Sequence, residues 1–167
     1  MEPVFERERR FLVGDQGVLA GIQGDVIVQG YLFSKDGYVV RVRRIHHRGR
    51  EAGEKDLAMF ALKGPRYRNA REEYEIEIPS ATASQLMQRA PYTVSKTRYE
   101  LIEADGTWDV DVFHGDNEGL VIAEYEARDP SQLEVPSWCG EEITDDLRYS
   151  NENLAETPYR CWSSAEE

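Results

Sequence analysis

Several segments of the sequence alternate between charged residues of one sign and apolar residues. Arg41 and Arg43 alternate with Val40 and Val42, and residues 73–78 read Glu-Tyr-Glu-Ile-Glu-Ile. Because successive side chains of a β-strand point to opposite faces, each such segment predicts a strand with one charged and one apolar face. Like charges side by side on one face are mildly unfavourable. Exposure to solvent would explain any one of these strands, but the whole set favours a charged interior that binds compensating ions.

The same alternation predicts the fold class. We expect eight short strands, at 4–13, 27–33, 38–45, 57–63, 71–79, 93–103, 107–114 and 120–127. Helices are expected only near 81–90, 131–135 and 151–156. Closure of meandering strands removes exposed edges, and an eight-stranded barrel encloses about one small ligand. The expected architecture is therefore mostly β (α+β): an eight-stranded antiparallel closed β-barrel, or tunnel, with a few helices packed outside.

The composition limits the class of partner. The chain has 167 residues, with 20 basic and 32 acidic side chains and a formal net charge of −12. We therefore expect no binding to nucleic acid or to a membrane. Of the basic residues, 17 lie within residues 1–100, where they need an anionic ligand or the acidic part of the same chain as a partner. The length favours one domain, 1–160, followed by an acidic C-terminal tail, 161–167.

Cysteine content and hydropathy bear on the cellular compartment. Cys139 and Cys161 are the only cysteines, which gives neither a disulfide framework nor a cysteine zinc site. No apolar run approaches the ~20 residues that span a bilayer, and the first residues lack the layout of a signal peptide. We therefore expect a cytoplasmic protein with both thiols reduced.

A series of motifs follows the predicted strands in order. It opens with Glu6, Glu8 and Arg10, spaced two apart, and continues at 29–32, 40–43, 62–64, 73–79, 96–99, 108–113, 123–126, 136–138 and 148–151. This series resembles the CYTH domain of the triphosphate tunnel metalloenzymes, in its short bacterial form, from residue 5 to about 155. The chain departs from the family's opening ExExK signature at one position, where Arg10 replaces the lysine.

The resemblance implies a tunnel that binds a triphosphate group together with Mg²⁺ or Mn²⁺. Position by position, it implies metal binding by Glu8, Glu124, Glu126 and the nearby Asp111, and phosphate binding by Arg41, Arg43, Lys63, Lys96 and Arg98. It implies catalytic positions at Glu6, Arg10 and Tyr31, and supporting acids at Glu75, Glu77 and Asp109. The residue types agree, because carboxylates suit hard cations and because arginine and lysine suit phosphate.

The expected function is metal-dependent hydrolysis of inorganic tripolyphosphate, by in-line attack of water on a terminal phosphoryl group. Alternatives with the same fold are a nucleoside or thiamine triphosphatase and a class IV-type adenylate cyclase. A further alternative is a non-catalytic triphosphate- or polyphosphate-binding protein, because Arg10 stays protonated where the signature lysine can titrate. The substrate is expected to be a small anion, tripolyphosphate or a nucleoside triphosphate. The sequence leaves the oligomeric state open, a homodimer included.

Overall fold

The computed structural model describes residues 4–47, 56–67, 70–104, 106–127 and 129–164, with only the backbone described at 4–7 and 163–164. It contains nine strands: β1 (Val4–Val13), β2 (Asp25–Lys35), β3 (Tyr38–His46), β4 (Leu57–Tyr67), β5 (Ala70–Glu77), β6 (Tyr92–Glu103), β7 (Gly106–Phe113), β8 (Val121–Glu126) and β9 (Cys139–Glu142). The first eight match the predicted strands to within a few residues.

The helices of the described residues are short. Two are α-helical, α1 (Ser80–Met87) and α2 (Asn151–Glu156), and five are 3-10 helices: η1 (Gln16–Leu19), η2 (Gly115–Asn117), η3 (Pro130–Gln132), η4 (Leu147–Tyr149) and η5 (Tyr159–Ser164). The helices predicted near 81–90 and 151–156 are therefore confirmed, whereas the one predicted at 131–135 is a single 3-10 turn. None of these helices is long and apolar enough to cross a membrane.

All nine strands belong to one antiparallel sheet, in the order β5-β4-β3-β2-β6-β7-β8-β1-β9. The sheet curls so far that β5 also pairs with β1, through residues 4–7 of β1. Residues 8–12 of β1 pair with β8. The edge of β1 opposite β8 pairs with β5 only as far as residue 7. Further along that edge, Phe11 and Val13 pair with β9 instead.

This arrangement corrects the prediction of a closed eight-stranded barrel. Over the described residues the structure is a curled, nine-stranded half-barrel whose β1–β5 seam is only four residue pairs long. The additional strand β9 occupies the edge of β1 along which the seam would otherwise continue. The sequence did not predict β9 because Cys139–Glu142 lacks an alternation of polar and apolar residues.

The apolar face of the sheet lies outward, under the segments that cover it. On β1, β7 and β8 this face includes Phe11, Trp108 and Tyr125, which pack against Leu133 and Trp138 of the segment that follows β8. On β3 and β4 it packs against α1. The charged face is therefore turned inward, as the alternation in the sequence predicted.

One end of the interior is filled by apolar side chains. Tyr31, Val39, Val94 and Phe113 extend from the inner face at the end that holds the β2–β3 turn, and they pack against Leu154 of α2. Because this cluster is buried, α2 closes that end of the interior.

The predicted C-terminal tail is partly ordered. Cys161–Ser164, which the sequence assigned to the acidic tail, belong to η5. The ring of Trp162 packs against Tyr149 at a centroid distance of 4.9 Å. Residues 165–167 lie outside the described part of the chain.

Candidate active site

The inner face of the sheet surrounds a cavity of about 120 Å³ in which twelve of the fifteen lining side chains are acidic or basic. Alternation along each strand places these side chains on one face. Seven are basic, Arg10, Arg41, Arg43, Lys63, Arg66, Arg71 and Arg98; five are acidic, Glu8, Glu73, Glu75, Glu124 and Glu152; the others are Tyr31, Ser150 and Asn151. With more bases than acids, the lining is suited to an anion.

Arg41 on β3 is almost completely buried and binds acids of β5. Its Nη2 donates to Glu75 Oε2 at 2.5 Å and to Glu73 Oε1 at 3.2 Å. Its Nε is buried and has no hydrogen-bond partner among the residues that the structure describes. A buried donor without a partner is costly, so this guanidinium retains capacity for an acceptor within the cavity.

Arg43, two residues further along the same face, lacks a neutralising hydrogen-bond partner. Among the described residues, the hydrogen bond it makes is from Nε to the neutral amide oxygen of Gln29, at 2.9 Å. Burial, together with the positive charges of Arg41 and Arg98, lowers the pKa of Arg43 to about 10. A bound anion would relieve both the desolvation and the repulsion between these cations.

The wall formed by β6, β7 and β8 contains a dense network of ion pairs around Arg98. Its Nε and Nη2 donate to the two oxygens of Asp111 at 2.7 and 2.8 Å, and its Nη1 donates to Asp109 at 2.7 Å. Nη2 also lies 3.3 Å from Glu124 Oε2. Burial alone would lower the pKa of Arg98, but Asp111 and the other acids outweigh it and raise that pKa.

Lys96 is fully buried behind this wall and is not among the residues that line the cavity. Its Nζ donates to Asp111 Oδ2 at 2.5 Å and to Asn151 Oδ1 at 3.0 Å. Burial lowers its pKa to about 8. In this geometry Lys96 and Asp111 support Arg98 from behind, and neither is among the residues that line the cavity.

Arg10, the residue that replaces the signature lysine, is buried and joins the sheet to the C-terminal segment. Its Nη2 donates to the carbonyl oxygen of Tyr149 at 2.6 Å. Its Nε lies 3.3 Å from Glu124 Oε1, yet has no hydrogen-bond partner within the described part of the chain. Burial raises the pKa of Glu124, but the charges of Arg10 and Arg98 outweigh burial and lower it, so this carboxylate is ionised at neutral pH.

Of the acids predicted to bind metal, some line the cavity and others lie outside it. Glu8 and Glu124 line the cavity, while Glu126, which lies across the ladder from Glu8, is exposed and outside the lining. The side chain of Glu6 lies outside the described part of the chain. Among the described residues no group of three acids, histidines or cysteines is placed to hold a metal ion. Two carboxylates nevertheless fit Mg²⁺, which commonly binds one or two carboxylates together with substrate phosphates and water.

The remaining predicted residues also fall into two groups. Tyr31 lines the cavity; its hydroxyl accepts a hydrogen bond from Gln29 Nε2 at 2.7 Å, and burial raises its pKa. Lys63 and Glu75 line the cavity, with Lys63 Nζ 3.5 Å from Glu73 Oε2. Glu77 is exposed, and Asp109, whose pKa burial raises, binds Arg98 from outside the lining.

Several cavity residues were not among the predicted site residues. On the strands these are Arg66, Arg71 and Glu73, and on the C-terminal segment Ser150, Asn151 and Glu152. Arg71 and Glu73 share the face of Glu75, so strand periodicity could have found them. Ser150, Asn151 and Glu152 reach the cavity only through the tertiary placement of α2, for which the local sequence gives no indication.

Comparison with known proteins finds similarity over most of the chain to two proteins named as inorganic triphosphatases. The chain is 36% identical over 159 residues to an inorganic triphosphatase of Acetivibrio thermocellus, which covers 93% of this chain and 96% of that protein. It is 34% identical over 161 residues to an inorganic triphosphatase of Nitrosomonas europaea, and this match covers 90% of this chain and 96% of that protein. No family model matches the chain.

Solved structures are similar in fold. The crystal structure of an inorganic triphosphatase matches with a TM-score of 0.65 and 29% identity, over 93% of this chain and 97% of that one. A protein of Bacillus halodurans matches with a TM-score of 0.58 over 78% and 84% of the two chains; at 17% identity this similarity concerns the fold alone.

The fold and the cavity define a class of protein: a curled antiparallel sheet whose inner face forms a basic, carboxylate-containing site for a small anion. Within that class, the similarity over nearly the whole chain settles the family. The chain belongs to the inorganic triphosphatases.

Proposed function

We propose that this protein hydrolyses inorganic tripolyphosphate in the cavity and that its curled sheet acts as the triphosphate tunnel of a CYTH domain. The observation that carries the proposal is Arg43, a cation in the cavity wall whose one hydrogen-bond partner among the described residues is a neutral amide. Burial, together with repulsion by Arg41 and Arg98, lowers its pKa. An oxyanion held among these three arginines would supply the missing negative charge. The two inorganic triphosphatases that resemble the chain support the same substrate.

The cavity residues would act mainly through position and charge. Arg10, Arg41 and Arg43 would bind phosphate oxygens and neutralise charge that develops during transfer, with Arg98 and Lys63 on either side. Attack of water on a terminal phosphoryl group would release phosphate and leave pyrophosphate. Glu8 and Glu124 would hold Mg²⁺ or Mn²⁺, and that ion would supply further neutralisation of the phosphoryl oxygens.

The lining favours an inorganic substrate over a nucleotide. Tyr31 is the one aromatic side chain among the lining residues; its ring belongs to the apolar cluster at the closed end, and its hydroxyl is bonded to Gln29. Among the described residues, the cavity therefore offers no aromatic face on which a base could stack. A nucleoside would have to remain outside the mouth.

Phosphate release measured with several substrates tests the proposal. Purified protein is given tripolyphosphate, ATP or thiamine triphosphate, each with Mg²⁺, with Mn²⁺ or with EDTA. We expect the highest kcat/KM for tripolyphosphate and almost no release in EDTA. A preference for ATP or thiamine triphosphate would contradict the proposed substrate, and absence of release from all three would contradict hydrolysis.

A further inference from the structure

The closed end of the cavity contains a negative charge as well as apolar side chains. Leu154 and Ala155 of α2 pack into the cluster that includes Tyr31 and Val39. Glu152, two residues before Leu154, lines the cavity, with only 19% of its side chain exposed. The packing of α2 thus brings a carboxylate into a cavity suited to anions.

Arg71 on β5 fixes this carboxylate in place. Its Nη1 lies 2.8 Å from Glu152 Oε1. Its Nε donates to the carbonyl oxygen of Gly64 at 2.7 Å, and its Nη2 donates to that of Gly37, in the β2–β3 turn, at 3.3 Å. Each nitrogen of Arg71 thus has a protein acceptor, and the guanidinium holds Glu152 at a fixed place in the lining.

Two further contacts fix the start of α2. The buried Lys96 Nζ donates to Asn151 Oδ1 at 3.0 Å, and the backbone N–H of Asn153 donates to the capping Ser150 Oγ at 3.3 Å. Burial raises the pKa of Glu152, but Arg71 outweighs burial and lowers it. At neutral pH the closed end therefore presents an ionised carboxylate, held in place by its ion pair with Arg71.

We propose that Glu152 is a specificity-determining residue that limits how many phosphoryl groups fit between the closed end and the carboxylates of β1 and β8. The inference rests on the proposed function. With its terminal phosphoryl group beside Glu8 and Glu124, a triphosphate extends two further groups toward α2, whereas a tetraphosphate extends three. The additional group meets the Glu152 carboxylate, and like charges in a poorly solvated site repel strongly. Exclusion by repulsion is an efficient way to discriminate between substrates that share all attractive contacts.

The test compares kcat/KM for tripolyphosphate and tetrapolyphosphate. Glu152→Gln removes the charge but keeps the size, and we expect it to move the ratio toward tetrapolyphosphate by at least about tenfold. Glu152→Asp keeps the charge and should keep most of the discrimination. Glu156→Gln, an equal charge change at the exposed end of α2, is the matched control and should leave the ratio unchanged.

A fourth variant separates charge from mere loosening of α2. Asn153→Ala removes the hydrogen bond from Asn153 Nδ2 to the carbonyl oxygen of Leu147 but leaves Glu152 intact, so the ratio should stay at the wild-type value. An unchanged ratio in folded Glu152→Gln protein, or an equal shift in Asn153→Ala, would overturn the inference while leaving the proposed function standing. Wild-type protein that hydrolyses neither substrate would instead overturn the proposed function.

Discussion

At the scale of single residues, Arg10 is the clearest departure from the family signature. The structure gives it two tasks, a hydrogen bond to the Tyr149 carbonyl oxygen and a positive charge beside Glu124. A lysine amino group could supply the charge but could not reach both partners with the same geometry. Arginine at this position therefore connects the site to the C-terminal segment and also neutralises Glu124.

Arg10→Lys should consequently retain hydrolysis of tripolyphosphate, within about tenfold of wild type, because the cationic charge is kept. Arg10→Gln should lose more, since Glu124 would then lose one of the two arginines that lie 3.3 Å from its carboxylate. Steady-state kinetics of both variants check this, with Arg9→Lys on the outer side of β1 as the control. A gain of several orders of magnitude in Arg10→Lys would mean that turnover requires a titrating lysine.

Of the acids predicted to bind metal, Glu124 lines the cavity and lies 3.3 Å from both Arg10 and Arg98. We expect Glu124→Gln to lower kcat by about 100-fold or more and to weaken the dependence on Mg²⁺ or Mn²⁺, because one of the two cavity carboxylates proposed to hold the metal is lost. Glu118→Gln, on an exposed turn, provides the same change of charge away from the site. Full activity of folded Glu124→Gln at limiting metal would remove Glu124 from the metal site. Glu126→Gln, measured alongside, tests the prediction made for that exposed acid.

At the scale of elements, the packing of α1 on the sheet depends on the absence of a side chain at Gly30. A Cβ at this position would lie 2.7 Å from Ala90 Cβ and 2.8 Å from Met87 Sδ, closer than such atoms approach. Gly30→Ala should therefore displace the end of α1 and lower the melting temperature by several degrees, at a cost of about 1–3 kcal/mol. Gly14→Ala is the control, since its added Cβ meets only ordinary contacts, at 3.6 Å. Equal melting temperatures of the two variants would contradict this account.

The strands were largely predictable from the sequence, but the way in which the sheet curls and closes was not. Alternation located β1 to β8, and it placed Arg41, Arg43 and Arg98 on one inward face. It could not locate β9, whose four residues have no pattern, nor the short seam between β1 and β5. Alternation also could not show how deeply each charged side chain is buried. Lys96 shares the face of Arg98 but is fully buried behind it and does not line the cavity.

At the scale of the whole molecule, the inward-facing carboxylates make stability depend on pH. The pKa values of Asp111, Glu124 and Glu152 are lowered because neighbouring arginines and lysines outweigh the effect of burial. The unfolded chain, with carboxyl pKa values of about 4, then binds more protons than the folded chain as the pH falls. The stabilisation that these three carboxylates give to the folded protein is complete above about pH 5 and is lost as the pH falls below that value. Asp109, whose pKa is raised by burial, opposes part of this loss.

The melting temperature should consequently fall from pH 7 to pH 4. Thermal unfolding followed by circular dichroism at pH 7, 5 and 4 and constant ionic strength measures this. The Asp146→Asn variant, which lacks one exposed carboxylate with a lowered pKa, should show the same trend with a slightly smaller fall. A melting temperature that is equal or higher at pH 4 would mean that the inward carboxylates are not held ionised by their basic neighbours.

The central claim is that the arginines of the inner face form a triphosphate site, and binding of tripolyphosphate to wild-type and Arg43→Gln protein tests it most directly. Calorimetric titration in EDTA measures affinity without turnover, and Arg89→Gln, at an exposed position just after α1, is the control. Hydrogen bonds to charged groups are worth about 1.5–3 kcal/mol, so Arg43→Gln should raise the Kd by roughly 10- to 100-fold while Arg89→Gln leaves it unchanged. Wild-type affinity in folded Arg43→Gln protein would contradict the account, because the anion would then be bound somewhere other than among these arginines.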